Sequence, residues 1–112
     1  MAPKVGKIGD VTVVNVPGPR LDASQSTMFK RDVSPLLAGS SKVIFDMSDL
    51  QFMDSAGLGT IVSCLKVLNA AGGDLKLCRM SKQIRVLFEL VRMHRVFDIY
   101  NTTDEAVSAY QP

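Results

Sequence analysis

Phe52-Met53-Asp54-Ser55-Ala56-Gly57-Leu58-Gly59 joins two stretches of different periodicity, and that junction decides the fold. Upstream, Lys42-Val43-Ile44-Phe45-Asp46-Met47 is a short apolar run of the kind that forms a buried strand. Downstream, Leu58, Ile61, Val62, Leu65 and Leu68 recur at helical spacing. Ser55 therefore stands where a loop turns into a helix. A serine there can cap the helix, its hydroxyl accepting from a first-turn amide that has no intrahelical partner. Gly57 and Gly59 work against the helix, each by about 1 kcal/mol relative to alanine. Their missing side chains imply close approach, either of this turn to the sheet or of another protein's backbone to this turn.

Working outward, Lys7 to Ile8 and Val11 to Val16 read as two short strands of a hairpin turning at Gly9-Asp10. Pro17-Gly18-Pro19 ends the second strand. Asp22 or Ser24 can then cap a helix whose apolar face includes Phe29, Val33, Leu36 and Leu37. Pro35 lies inside that pattern, so the helix either kinks there or breaks, with Pro35 opening a final turn. The run Val43 to Met47 lacks the alternation of a half-solvated strand and is expected at the centre of the sheet. The helix after the junction is expected from Ala56 to about Ala71, closed by Gly72-Gly73. Asp74 to Cys78 returns as a strand. Ser81 caps a helix burying Ile84, Leu87, Phe88 and Val91, with Arg85 and Glu89 as a solvent-facing pair. Val96 to Tyr100 gives a last strand, and Thr102-Thr103-Asp104-Glu105 has capping-box spacing for a terminal helix. Strands alternating with helices make an α/β domain, and the early hairpin makes its sheet mixed.

The chain has 112 residues, 46% of them hydrophobic, which suits one compact domain over residues 1–112 without disulfides or metals. Its 13 basic and 11 acidic residues leave a net charge of +2, too weak a field to imply nucleic acid or an anionic membrane as the main partner. No apolar run approaches the roughly 18 residues of a membrane span, and Met1 to Asp10 lacks the apolar core of a signal peptide. A soluble, cytoplasmic protein is expected. Cys64 and Cys78 lack the spacing of a zinc site and read as small apolar residues in a reduced state. No cofactor is called for.

The stretch Phe52 to Gly59 resembles the signature of the anti-sigma-factor antagonists of the STAS domain family. The similarity runs from about Gly9 to Tyr110 and takes in Gly18-Pro19-Arg20-Leu21-Asp22-Ala23, the strand Val43 to Met47, Ala71-Gly72-Gly73 and Leu87-Phe88-Glu89-Leu90. It implies a single STAS-like domain with a mixed sheet of four to five strands and about four helices, packed mainly on one face. It further implies a partner switch. In the family, the serine after the aspartate is phosphorylated by a serine-kinase anti-sigma factor with a histidine-kinase-like ATPase fold, and that serine corresponds to Ser55. The kinase supplies ATP and Mg²⁺, and a metal-dependent serine phosphatase restores the unmodified form. Many phosphorylated members carry serine or threonine after the modified serine, whereas this chain has Ala56, which leaves one hydroxyl at the site. The aspartate matching Asp22 lies beside the modified serine in these antagonists, so Asp22 and Asp54 are expected on the partner-binding surface with Ala56 and Gly57.

Thr60, Cys64, Val67 and Ala71 form a second line on the same helix. Such a stripe is either a broad buried face or a docking patch continuous with Ser55 and Gly57. The resemblance favours docking, and Thr60 and Cys64 are taken into the expected partner-binding set. The STAS family also includes interaction modules in sensor complexes and transporter-associated assemblies, which keeps a second function open. Catalysis by Ser55 would need a base, yet His94 is the only histidine and follows a distant helix. Gly57-Leu58-Gly59 completes neither a phosphate-binding loop nor a dinucleotide fingerprint. Lys82, Arg85, Arg92 and Arg95 have no stacking aromatics among them for nucleic acid.

Overall fold

A computed structural model describes residues 2–112. β1 (Lys4–Ile8) and β2 (Val11–Asn15) form the expected antiparallel hairpin, with the first strand reaching back to Lys4. Gly9 takes a φ of +61° in the turn, a conformation that glycine adopts without strain. β4 (Lys42–Asp46), β6 (Asp74–Cys78) and β7 (Asp98–Tyr100) continue the sheet in parallel, in the order β1-β2-β4-β6-β7. The fold is α/β with a five-stranded mixed sheet, and β4 is its central strand. Val43, Ile44 and Phe45 are fully buried, which is why their sequence shows no alternation.

Three helices, α1 (Ala23–Ala38), α2 (Ser55–Ala70) and α3 (Lys82–Leu90), return the chain between strands and cover one face. The short α4 (Thr103–Ala109) covers part of the other, through Ala106 against Val11, Ile44 and Cys78. The capping box at its start forms as expected, with Thr102 and Glu105 exchanging bonds. Tyr110, just beyond α4, ties the helix end to the sheet. Its hydroxyl lies 2.7 Å from the Val43 carbonyl and 2.8 Å from the Asp74 carbonyl, and accepts from the Val43 N–H at 3.2 Å. Beside it the buried Lys76 ammonium reaches Asp98 at 3.0 Å and Asp74 at 3.3 Å. Burial pulls its pKa down, but the two carboxylates outweigh that and hold it above the ordinary lysine value.

Pro35 neither breaks α1 nor opens a new helix, since the helix runs through it to Ala38. Ser34 donates its hydroxyl to the Lys30 carbonyl at 2.6 Å, within the turn that Pro35 disturbs. α2 starts at Ser55, one residue earlier than its spacing suggests, and stops before Ala71. Gly72, at φ +83°, donates to Asn69 and Gly73 to Leu68, the paired bonds of a left-handed helix end. Three expectations need correction around α3. Val91 lies past its end and is exposed, because the helix stops at Leu90. Arg85 reaches Asn101 at 3.1 Å instead of Glu89. The last strand begins at Asp98, since Met93–Arg95 forms a 3-10 turn that takes up the preceding residues.

β3 (Arg20–Leu21) and β5 (Phe52–Met53) form a separate parallel pair that sequence patterning does not reveal, being two residues each. The pair brings the starts of α1 and α2 together. Asp46, at the end of β4, accepts from the Ser48 N–H at 3.0 Å and from Arg79 at 3.1 Å. Gln51 and Phe52 both donate to the Pro19 carbonyl, at 2.8 and 3.1 Å. The loop leading into Ser55 is thus held from the sheet on one side and from the Pro17–Pro19 segment on the other.

Candidate functional site

The site is built on two helix N-termini. Asp54 is the cap of α2, with Oδ1 accepting from the Gly57 N–H at 2.9 Å. Its Oδ2 accepts from the Ala23 N–H of α1 at 3.0 Å, so one carboxylate closes both helices. Asp22 caps α1 from the other side, its Oδ1 accepting from the Ser24 N–H at 3.1 Å and the Ser24 hydroxyl at 2.6 Å. The Ser24 hydroxyl, and then the Arg20 guanidinium at 3.1 Å, hold the Asp22 carboxyl below the ordinary aspartate pKa. Asp54 thereby ties the two helix starts together, bonding the residue next to Asp22.

Ser55 is therefore not the cap. It is the first residue of α2, exposed, and its hydroxyl has no hydrogen-bond partner among the described residues. The cap belongs to Asp54 because aspartate supplies two acceptors, and this geometry uses both. The Ser55 and Ala56 N–H groups also have no acceptor among the described residues, so the positive end of the α2 dipole opens at the Ser55 side chain. Replacing Asp54 by alanine removes two caps at about 1 kcal/mol each, so urea unfolding should show a loss of about 2 kcal/mol.

The two glycines do different work. A Cβ on Gly57 would stand 2.0 Å from the Leu21 carbonyl oxygen, so Gly57 lets α2 seat against β3 and is buried there, which corrects its expected place on the partner-binding surface. Around Gly59 a Cβ would meet nothing within 4 Å, and the position is exposed. Of the remaining expected residues, Ala56 is exposed beside Ser55, and its carbonyl accepts the Thr60 hydroxyl at 3.1 Å. Thr60 and Cys64 turn inward, at 8% and 2% exposure, with Cys64 packed in the main core. Their side chains are core, which corrects the docking reading of that stripe, while Val67 and Ala71 stay exposed. Burial pushes the Cys64 thiol up to about 11, an unreactive setting. His94 lies in the 3-10 turn after α3, at the end of the sheet opposite Ser55, where the parallel strands begin.

The STAS domain family matches residues 2–106, including both helix starts and the loop between them. The chain belongs to the STAS domain family. A candidate anti-sigma factor antagonist of Thermotoga maritima is 31% identical over 103 residues, covering 90% of this chain and 91% of that one. The anti-sigma-B factor antagonist of Bacillus subtilis is 29% identical over 86 residues, 77% of this chain and 78% of that one. A crystal structure of the Thermotoga maritima protein superposes with a TM-score of 0.90 at 27% identity, covering 98% of this chain and 95% of that one. In this STAS domain the sheet carries the scaffold, and the Asp22–Asp54 clasp fixes the surface around Ser55. The clasp itself lies in two aspartates that each precede a helix, a capping signal legible at each end but not as one shared bond.

Proposed function

We propose that this STAS domain is an anti-sigma-factor antagonist that works as a phosphoserine switch. Unmodified, it binds a serine-kinase anti-sigma factor and so frees the sigma factor; phosphorylated on Ser55, it is released. The observation that carries this reading is the division of labour at the start of α2. Asp54 does the capping and Ser55 does none, so a group added to the Ser55 hydroxyl removes no bond that holds the fold. A phosphate there would meet the open amides of Ser55 and Ala56, which favour an anion. It would also add about −1.5 to −2 charge beside Asp22 and Asp54 and overload an already acidic docking surface. The relatives named as antagonists support the same reading, since the match to them runs through this loop.

Ala56 leaves Ser55 as the acceptor hydroxyl, and the surface offered to the kinase comprises Asp22, Asp54, Ser55, Ala56 and the exposed edge of Gly59. The kinase brings ATP and Mg²⁺, and a metal-dependent phosphatase reverses the modification; the domain itself acts as substrate and ligand. The test is affinity capture from the native host with the Ser55→Ala protein as bait. Retention of a protein with the histidine-kinase-like ATPase fold, identified by mass spectrometry and displaced by wild-type domain, supports the reading. Retention of a transporter subunit or of a sensor assembly in its place overturns it.

A further inference from the structure

Resting on that reading, we infer that the kinase anchors on a cleft between β3 and α1, with an apolar side chain flanked by a carboxylate. The cleft measures about 220 Å³ and is lined by Pro17, Arg20, Leu21, Gln25, Met28 and Phe29. Leu21 and Phe29 form its buried floor, and Met28 stands 49% exposed at its wall. Phe52, 43% exposed, lies across the β3–β5 pair from Arg20, whose guanidinium stacks 4.4 Å above the Phe52 ring. Two large apolar residues left in solvent beside a pre-formed hollow are the ingredients of an interface anchor, where a partner's aromatic or aliphatic side chain is fully desolvated.

Charge selects the neighbour of that side chain. Arg20 donates from Nε to Asp22, and its two terminal amino groups have no hydrogen bond among the described residues. They form a fork suited to a planar carboxylate. Stacking on Phe52 holds the fork in place, which reduces the ordering cost of binding. Continuity with the switch is covalent and hydrogen-bonded. Phe52 lies three residues before Ser55, and the Ala23 N–H of the cleft's own helix is bonded to Asp54. Cleft and Ser55 are therefore tied into one hydrogen-bonded frame, and the anchor holds the chain while the hydroxyl is delivered to ATP. The anchor touches none of the reacting atoms, so it governs binding and leaves the chemical step alone.

The experiment measures phosphorylation kinetics and equilibrium affinity with the captured kinase, for wild type, Met28→Glu, Arg20→Gln and Val67→Glu. Met28→Glu puts a carboxylate at the cleft wall on an exposed helix position that leaves the fold intact, as its melting temperature will report. Met28→Glu and Arg20→Gln are each expected to raise KM and Kd about tenfold with kcat unchanged. Val67→Glu, exposed on the far part of α2, should stay within about twofold of wild type. Wild-type binding and Ser55 phosphorylation, with both cleft variants also within twofold, would sink the anchor while the switch stands. Failure of the wild type to bind or be modified would remove both.

Discussion

Ser55→Asp is expected to lose at least about 100-fold in affinity for the kinase while unfolding at nearly the same temperature as wild type. A hundredfold is about 2.7 kcal/mol, within the several kcal/mol that a charge desolvated in an interface without a matching partner can cost. The introduced carboxylate stands beside Asp22 and Asp54, and a surface complementary to the unmodified loop must then accommodate a third negative group. Stability is spared because the Ser55 hydroxyl holds nothing in the fold and because the start of α2 favours an acidic side chain. Ser55→Ala should bind like wild type and resist modification. Calorimetric titration of both variants into the nucleotide-loaded kinase, with thermal unfolding as the companion measurement, checks the pair. Wild-type affinity for Ser55→Asp would show that charge is not the lever.

Gly57→Ala is the most destabilising single change expected at the site, at about 3 kcal/mol. A methyl group there would sit 2.0 Å from the Leu21 carbonyl oxygen and 3.0 Å from the Met53 Cγ. The carbonyl belongs to backbone in the β3–β5 pair, so relief requires α2 to move away from β3 and would loosen the Asp54 bond to Ala23. Gly59→Ala is the opposite case. Its Cβ would enter open space and remove glycine's entropic penalty, so urea unfolding should show a gain of about 1 kcal/mol. A partner backbone that approaches Gly59 closely would make the same change weaken kinase binding. The two neighbouring glycines thus have opposite signs in stability.

The core strands and helix faces were legible because their patterns are long. Val43 to Phe45 carried no alternation and proved fully buried, and the line Ile61, Leu65, Leu68 faced the sheet as its spacing required. Ser81 and Thr102 announced their helices by side-chain chemistry, and both accept the expected amides. What stayed hidden depends on long-range contact. Thr60 and Cys64 have the size and polarity of a surface stripe, and only the tertiary packing around α2 turns them inward. Pro35 was ambiguous because a proline there removes a helical bond and crowds the preceding turn, and only the burial of Val33 and Leu37 in the core carries the helix through it. The double role of Asp54 needed the β3–β5 pair, whose two-residue strands leave no periodic trace. The place of Ser55 at the helix start was legible from the change of periodicity, while its freedom from capping emerged only when Asp54 was seen to hold both helices.

Intact-mass measurement with peptide mapping, after incubating the purified domain with the captured kinase, ATP and Mg²⁺, tests the switch most directly. One added phosphate is expected, located on Ser55, absent from Ser55→Ala and removed by a metal-dependent serine phosphatase. Phosphate on another residue, or none in the wild type under conditions where the kinase binds it, would contradict a phosphoserine switch at Ser55.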